Sequence, residues 1–247
     1  MRFDLVTLFP ELFAPFLAAG VTRRAYETKQ VDVRLWNLRD FAEGNYRRVD
    51  DRPFGGGPGM VMMAEPLARC LAAVKADRAD AAPVVLFSPI GERLDHAGVE
   101  RWSASQGAIL VCGRYEGIDQ RFIDTHVDVQ LSLGDFVLSG GEIAAMALLD
   151  AVARLQPGVL NDAGSHQEDS FNPALDGLLD CPHYTRPEEW EGRKAPEELL
   201  SGHHARIAEW RRRQRLAVTA EHRPDLIVAA RQAGRLTPVD EAFLATL

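Results

Sequence analysis

Over the first 155 residues the apolar positions switch between two periods. Short runs, densely apolar or alternating, predict strands at 2–8, 31–36 (VDVRLW), 83–88 (PVVLFS), 108–112 (AILVC) and about 127–131. Helical spacing predicts helices from Pro10 to Gly20, from Glu65-Pro66 to about Asp77, from an Asp95 cap through Ala104, and over 142–155 (EIAAMALLDAVARL). Strands alternating with helices predict an α/β domain built on a mostly parallel sheet. From 156 the pattern dissolves into QPGVLNDAGSHQEDSFNP, rich in Gly, Asp, Asn, Ser and Pro, which reads as a linker. Beyond it only helices are predicted, at about 202–219, 224–233 and 237–247, the last opened by Thr237-Pro238. The expected organisation is an α/β domain over 1–160, a flexible linker over 161–171 and a small all-α domain over 172–247.

Composition narrows the class. At 247 residues, 46% hydrophobic and 26% charged, the chain is an ordinary globular protein and not a disordered, collagenous or coiled-coil one. Cys70, Cys112 and Cys181 are too few and too scattered for a disulfide framework or a zinc site, which points to a reducing compartment. No apolar run approaches the ~18 residues of a membrane span. Asp4, Pro10 and Glu11 break the N-terminal apolar run too early for a signal peptide, so a soluble cytoplasmic protein is expected. The net charge of −8 argues, as a global figure, against a nucleic-acid partner. The 28 basic residues are nonetheless three lysines (Lys29, Lys75, Lys194) and 25 arginines. Arginine suits bidentate phosphate contacts and base stacking, although a chain this rich in Ala and Val also reflects genome composition.

Four loops follow predicted strands, where ligands sit in open α/β sheets. The stretch 37–63 (NLRDFAEGNYRRVDDRPFGGGPGMVMM) exceeds ordinary loop length. Its Gly55–Gly59 run either lets backbone approach a ligand closely or makes a plain flexible turn, and it lacks the Lys-Ser/Thr of a phosphate loop. Ser88-Pro89-Ile90-Gly91 is turn chemistry. In Gly113-Arg114-Tyr115-Glu116-Gly117, Glu116 can accept from a ligand or pair with Arg114. Leu133–Glu142 (LGDFVLSGGE) sets glycines 134, 140 and 141 around an apolar centre, able to wrap a flat ring and offer backbone N–H and C=O to its edge. With no basic residue beside it, this loop fits a nucleoside without phosphates. The acids of the 166–171 segment are either solvated or a general base delivered by a loop that orders on substrate binding. Within 202–219, Ile207, Trp210, Gln214, Ala217 and Val218 share a stripe, and Arg206, Arg211, Arg212, Arg213 and Arg215 spread around the rest. That basic face is either merely solvated or a contact for a phosphate backbone.

Together with DCPHYTRPEEWEG (180–192) and LLSGHH (199–204), these loops closely resemble the TrmD family, bacterial tRNA (guanine-N1)-methyltransferases of the SPOUT class. The resemblance runs from TLFPELF to the helical tail, and VCGRYEGID, GDFVLSGGE and DCPHYTRP in this order are its most specific part. It implies a sheet whose C-terminal part is tied into a deep trefoil knot, which ordinary topology rules would argue against. It also implies an obligate homodimer with active sites shared between subunits, and S-adenosylmethionine bent in the knot loops. Carried over residue by residue, it implies cofactor contacts from Phe87, Ser88, Pro89, Gly91, Gly113, Tyr115, Glu116, Gly117, Leu133, Gly134, Asp135, Phe136, Val137, Leu138, Gly140 and Gly141. Substrate contacts would come from Gly57, Gly59, Met60, Ser165, Ser170, Arg206 and Arg211.

The implied reaction is methyl transfer to N1 of the tRNA guanine at position 37, just 3′ of the anticodon. Neutral N1 carries a proton, so the reaction needs a base there and positive charge near O6. The resemblance assigns these roles to Asp169 and Arg154. Phe136, Ile90 and Leu133 stand where the family usually has Tyr, Gln and Ile, departures that bear on cofactor affinity. Another SPOUT enzyme would share the cofactor loops without needing GGGPGM or the linker acid. A non-catalytic RNA-binding factor would keep the basic helix and lose the cofactor glycines, and a Rossmann oxidoreductase would need the missing GxGxxG.

Overall fold

β1 (Arg2–Thr7) buries its last five residues completely, as a strand covered on both faces does. In the computed structural model, which describes residues 1–160 and 166–247, β1 lies between β2 (Asp32–Asn37) and β6 (Gly107–Val111). β5 (Val84–Arg93) and β7 (Val129–Ser132) complete a sheet of order β2-β1-β6-β5-β7 in which every pairing is parallel. Alternate side chains of these strands feed two core layers. On one face Phe3, Leu5, Val85 and Leu110 pack under α1 (Phe13–Ala18), α2 (Arg23–Glu27), α4 (His96–Ser103) and α6 (Glu142–Arg154). On the other, Val6, Val84, Leu86 and Ile109 pack under α3 (Ala64–Asp77) and α5 (Gln120–His126). The α4 cap is the expected one, Asp95 accepting from Gly98 N–H at 2.8 Å.

One charge sits inside this unit. The Asp4 carboxylate is fully buried and accepts from Arg78 Nη1 (2.6 Å), Arg2 Nη2 (2.7 Å) and Trp36 Nε1 (2.8 Å). Three donors satisfy most of its acceptor capacity, which is what makes a buried carboxylate tolerable.

Two short helices, α2 and α5, were not foreseen, since five and seven residues barely establish a period. Inside the long 37–63 stretch β3 (Asp50–Asp51) and β4 (Val61–Met62) form an antiparallel ribbon. The strand expected over 83–88 does not end at Ser88. Phe87 and Glu92 both oppose Leu131, so Ser88–Gly91 bulges out of the ladder and β5 resumes to Arg93. A Cβ at Gly91 would meet Leu131 N at 2.5 Å and Gln130 C at 2.6 Å, so only glycine lets β7 pass here.

The chain divides into two compact units, Met1–Leu160 and Asn161–Leu247. In the second, α7 (Glu197–Leu200) precedes α8 (His204–His222), α9 (Pro224–Gln232) and α10 (Pro238–Leu244), which close on Leu178, Leu216, Ile227 and Ala230. The linker residues 161–165, Ser165 among them, lie outside the described residues. From His166 the chain is hydrogen-bonded within this unit: Asn172 Nδ2 donates to His166 O and Phe171 N–H to Leu178 O, both at 2.9 Å.

One expectation for this region is corrected. It is not all-α, because β8 (Glu189–Trp190) and β9 (Arg193–Lys194) form a hairpin. Its turn residues Glu191 and Gly192 both have the positive φ, 51° and 74°, of a tight two-residue hairpin loop. In α8, Ile207, Trp210 and Gln214 of the expected stripe are half-buried. Its buried residues are Leu216 and Thr219, flanked by half-buried Arg212 and Arg215, which carry ion pairs into the unit. Pattern reading counts arginine as solvent-facing and so misses these two. Among the described residues no helix is long and apolar enough to cross a membrane.

Candidate functional site

The carboxyl ends of β5, β6 and β7 open onto one cavity of about 270 Å³. Leu86 and Phe87 of β5 and the first bulge residues Ser88 and Pro89 form one wall. The Gly113–Ile118 loop after β6 and the Leu131–Gly141 segment from β7 onward form the others, with Ile123 of α5 and Ala144 of α6 between them. Fourteen of the sixteen residues expected to share a pocket meet here: Phe87, Ser88, Pro89, Gly113, Tyr115, Glu116, Gly117, Leu133, Gly134, Phe136, Val137, Leu138, Gly140 and Gly141. Two do not. Gly91 packs on the β7 backbone instead, and the Asp135 side chain is 97% exposed, 3.8 Å from Arg93. Leu86, Leu131 and Ser132, at or next to the ends of their strand segments, line the cavity as well. Nothing in the sequence marked Ile123 or Ala144.

Glycine lets the walls approach each other. Gly141 N–H donates to Gly113 O at 2.9 Å, and a Cβ on Gly141 would lie 2.8 Å from Cys112 Cα. Among the described lining residues Arg114 is the one cation. It pairs not with Glu116, two residues on, but with Glu142, its Nε 2.9 Å from Glu142 Oε2. Tyr115 holds a left-handed φ of 62°. Its phenol is pushed above the ordinary value first by burial and then by the Asp50 carboxylate of β3, against an opposing Arg39. Cys112, directly before this loop, is fully buried, and burial raises its thiol far above the usual range.

The glycine-rich stretch is stitched to the same loop. Glu116 N–H donates to Met60 O (3.0 Å), Met62 N–H to Gly117 O (2.9 Å) and Asp119 N–H to Met62 O (3.0 Å). Gly57 and Gly59 are exposed, and a Cβ on Gly59 would collide with the Glu116 carboxylate. Gly59 and Met60 are thereby held beside the Glu116 wall of the cavity, while a Cβ at Gly57 would meet open space.

The other predicted residues are distributed over both units. Arg154 is the last residue of α6 and half-buried. Asp169 and Ser170 belong to the second unit. Asp169 is half-buried, its N–H directed to His166 O (3.4 Å), and Ser170 Oγ accepts from Asp180 N–H (2.9 Å). Asp180 gathers the DCPH segment: it also accepts from Cys181 N–H (2.7 Å) and Arg215 Nε (3.1 Å), with His183 Nε2 2.9 Å away. Burial opposes its ionisation, but these donors together hold it below the usual carboxylate range.

The arginines of α8 are mostly engaged. Arg212 bridges Asp240 and Asp176 (2.9 and 2.8 Å), Arg213 pairs with Glu209 (2.6 Å), and Arg211 and Arg215 lie 3.8 and 3.9 Å from Glu168. Arg206 is exposed. Among the described residues no cluster of three or more His, Cys, Asp or Glu side chains is placed to hold a metal ion.

Comparison with known proteins agrees with the loop motifs. Residues 1–229 match the family model described as tRNA (Guanine-1)-methyltransferase TrmD. A protein of Paracidovorax citrulli named tRNA (guanine-N(1)-)-methyltransferase is 78% identical over 251 residues, covering all of this chain and 98% of its own. Proteins of the same name from Polaromonas sp. and Bordetella pertussis are 75% and 59% identical, again over the whole chain and 97% and 98% of their own lengths. With likeness of this extent laid over the glycine-walled cavity, the chain belongs to the TrmD family of tRNA (guanine-N1)-methyltransferases.

Proposed function

We propose that the chain transfers the methyl group of S-adenosylmethionine to N1 of the guanine at position 37 of tRNA. The observation that carries this reading is the cavity, whose walls come from three loops far apart in sequence and combine apolar side chains and glycine backbone with a few polar groups, Glu116 among them. A nucleoside phosphate would meet a single cation there, Arg114, already paired with Glu142. An adenosine bearing a sulfonium fits better, because it asks for apolar walls, backbone polar groups at a ring edge and no free cation nearby. The bulge at Ser88–Pro89, the Gly113–Gly117 loop and the Leu133–Gly141 segment would hold it, with Phe136 packing where a tyrosine is usual. When bound, S-adenosylmethionine would supply a methyl carbon for an aligned nucleophile to attack, the C–S bond breaking as its electron pair leaves on the neutral thioether sulfur.

The remaining work belongs to this chain's own side chains. Asp169 takes the N1 proton, and the Arg154 guanidinium stabilises the negative charge that then develops on O6. Gly57, Gly59, Met60, Ser165 and Ser170 position the guanine, and Arg206 and Arg211 contact the RNA backbone. Arg154 and Asp169 sit in different units, and the family resemblance supports a homodimer in which two copies complete each site. The same resemblance supports a trefoil knot in the sheet, a cofactor-binding role for 1–160, a linker at 161–171, a tRNA-binding role for 172–247 and a cytoplasmic location.

The test is methyl transfer from S-adenosylmethionine to unmodified tRNA carrying guanine at position 37, with the product nucleosides resolved by mass spectrometry. N1-methylguanosine at that position is the expected product, lost when the guanine is replaced by adenine. Folded protein that leaves this atom unmethylated overturns the reading.

A further inference from the structure

The Glu142 carboxylate is completely buried at the first turn of α6 and has no part in the chemistry above. Its Oε1 accepts from Thr7 Oγ1 at 2.8 Å, and its Oε2 faces Arg114 Nε at 2.9 Å. Arg114 in turn lies over the Phe9 ring, 4.5 Å from its centroid, and its Nη1 donates to Ser139 O at 3.2 Å. The fit leaves no spare volume: a Cβ on Gly140 would run into both the Arg114 and Glu142 side chains. One ion pair therefore ties the end of β1, the loop after β6, the turn after β7 and the start of α6 to each other.

Desolvating a carboxylate costs several kcal/mol unless it is paired, so a buried Glu142 commits the Arg114 guanidinium to one position. Arg114 itself lines the cavity, whereas Glu142 is not among the lining residues. We propose that Glu142 is a positioning residue for the methyl donor. It acts through Arg114 to fix the spacing between the Gly113–Gly117 loop and the Ser139–Gly141 turn, and so sets how tightly the adenosine part is gripped. The proposal rests on the reading that this cavity takes S-adenosylmethionine.

The experiment is a double-mutant cycle on affinity. S-adenosylmethionine is titrated calorimetrically into the intact wild-type protein, Glu142→Gln, Arg114→Gln and the double variant, with kcat and KM measured in parallel. Each single variant weakens binding by about tenfold, the double weakens it no further than the worse single, and kcat of Glu142→Gln at saturation stays within about threefold. Thr7→Val, which removes the donor that anchors Glu142, gives a smaller loss of the same kind and carries the test if Glu142→Gln does not fold. Additive losses, unchanged affinity in folded Glu142→Gln or Thr7→Val, or a fall confined to kcat would each overturn the proposal. Failure of the wild-type protein to bind S-adenosylmethionine would instead remove the cofactor reading on which it stands.

Discussion

Glu116 and Met60 are joined backbone to backbone, the Glu116 N–H donating to the Met60 carbonyl over 3.0 Å. The glycine-rich stretch and the cavity loop are therefore tied directly to each other. Gly59 sits at φ 76° with the Glu116 side chain where its Cβ would be. Gly59→Ala adds about 1 kcal/mol of left-handed strain and displaces Glu116. We expect kcat/KM for tRNA to fall about tenfold or more, and by a larger factor than affinity for S-adenosylmethionine. Steady-state kinetics in each substrate checks this, and equal losses would uncouple the loop from the guanine.

Asp169→Asn keeps the shape of the proposed base and removes its capacity to take a proton. Turnover should drop by about 10²–10⁴, the usual worth of a positioned base, with S-adenosylmethionine bound nearly as before. A variant that keeps more than about a tenth of the activity would take Asp169 out of that role.

Asp240 is the acid whose titration matters most for the helical unit. Its bidentate partner Arg212, opposed by burial and helped by the N–H and hydroxyl of Thr237, holds its carboxyl at about 2. Because the folded value lies below the unfolded one, the stabilisation is complete above about pH 4 and is lost as the pH falls toward 2. The shift corresponds to about 2 kcal/mol. Asp240→Asn should accordingly speed hydrogen exchange in α8 and α10 at pH 7, and the difference from wild type should shrink near pH 2. A difference that did not shrink would mean that Asp240 acts by shape alone.

In the first unit the buried Asp4 carboxylate ties Arg78, Arg2 and Trp36 together. Asp4→Ala leaves Arg78, whose side chain is 1% exposed, without its buried partner. Removing one member of such a pair costs about 3–5 kcal/mol, which in a chain this long lowers Tm by roughly 10 °C. A calorimetric scan showing less than about 3 °C would assign the burial of this pair to packing alone.

The sheet was legible because strands covered on both faces are near-continuous apolar runs, as at 108–112, and glycine loops separated them. What escaped had physical reasons. The hairpin at 189–194 is exposed on every residue, so no alternation records it. The bulge at 88–91 looks in sequence like the end of a strand. α8 turns Arg212 inward because Asp240 and Asp176 wait there, and a pattern that assigns charge to solvent cannot anticipate partners 28 and 36 residues away. The cavity loops were legible through their glycines and, as a set, through family resemblance. Arg114 was read against the nearest acid, Glu116, whereas its partner is Glu142, brought to it by the turn that Gly140 makes possible. The net charge of −8 said little of local chemistry, since the ion pairs of α8 already occupy much of its basic face.

The interrupted pairing of β5 with β7 bears on how the cavity could be drugged. Ser88–Gly91 is an arch with both feet planted in the sheet, Phe87 on one side and Glu92 on the other, and with Ile90 83% exposed at its crown. The crown can change without disturbing either foot. A compound that draws its affinity from the Ile90 side chain would therefore invite resistance at no cost to the fold. One that reads the backbone at Phe87, the foot that lines the cavity, would not, because that foot is held in the ladder with β7.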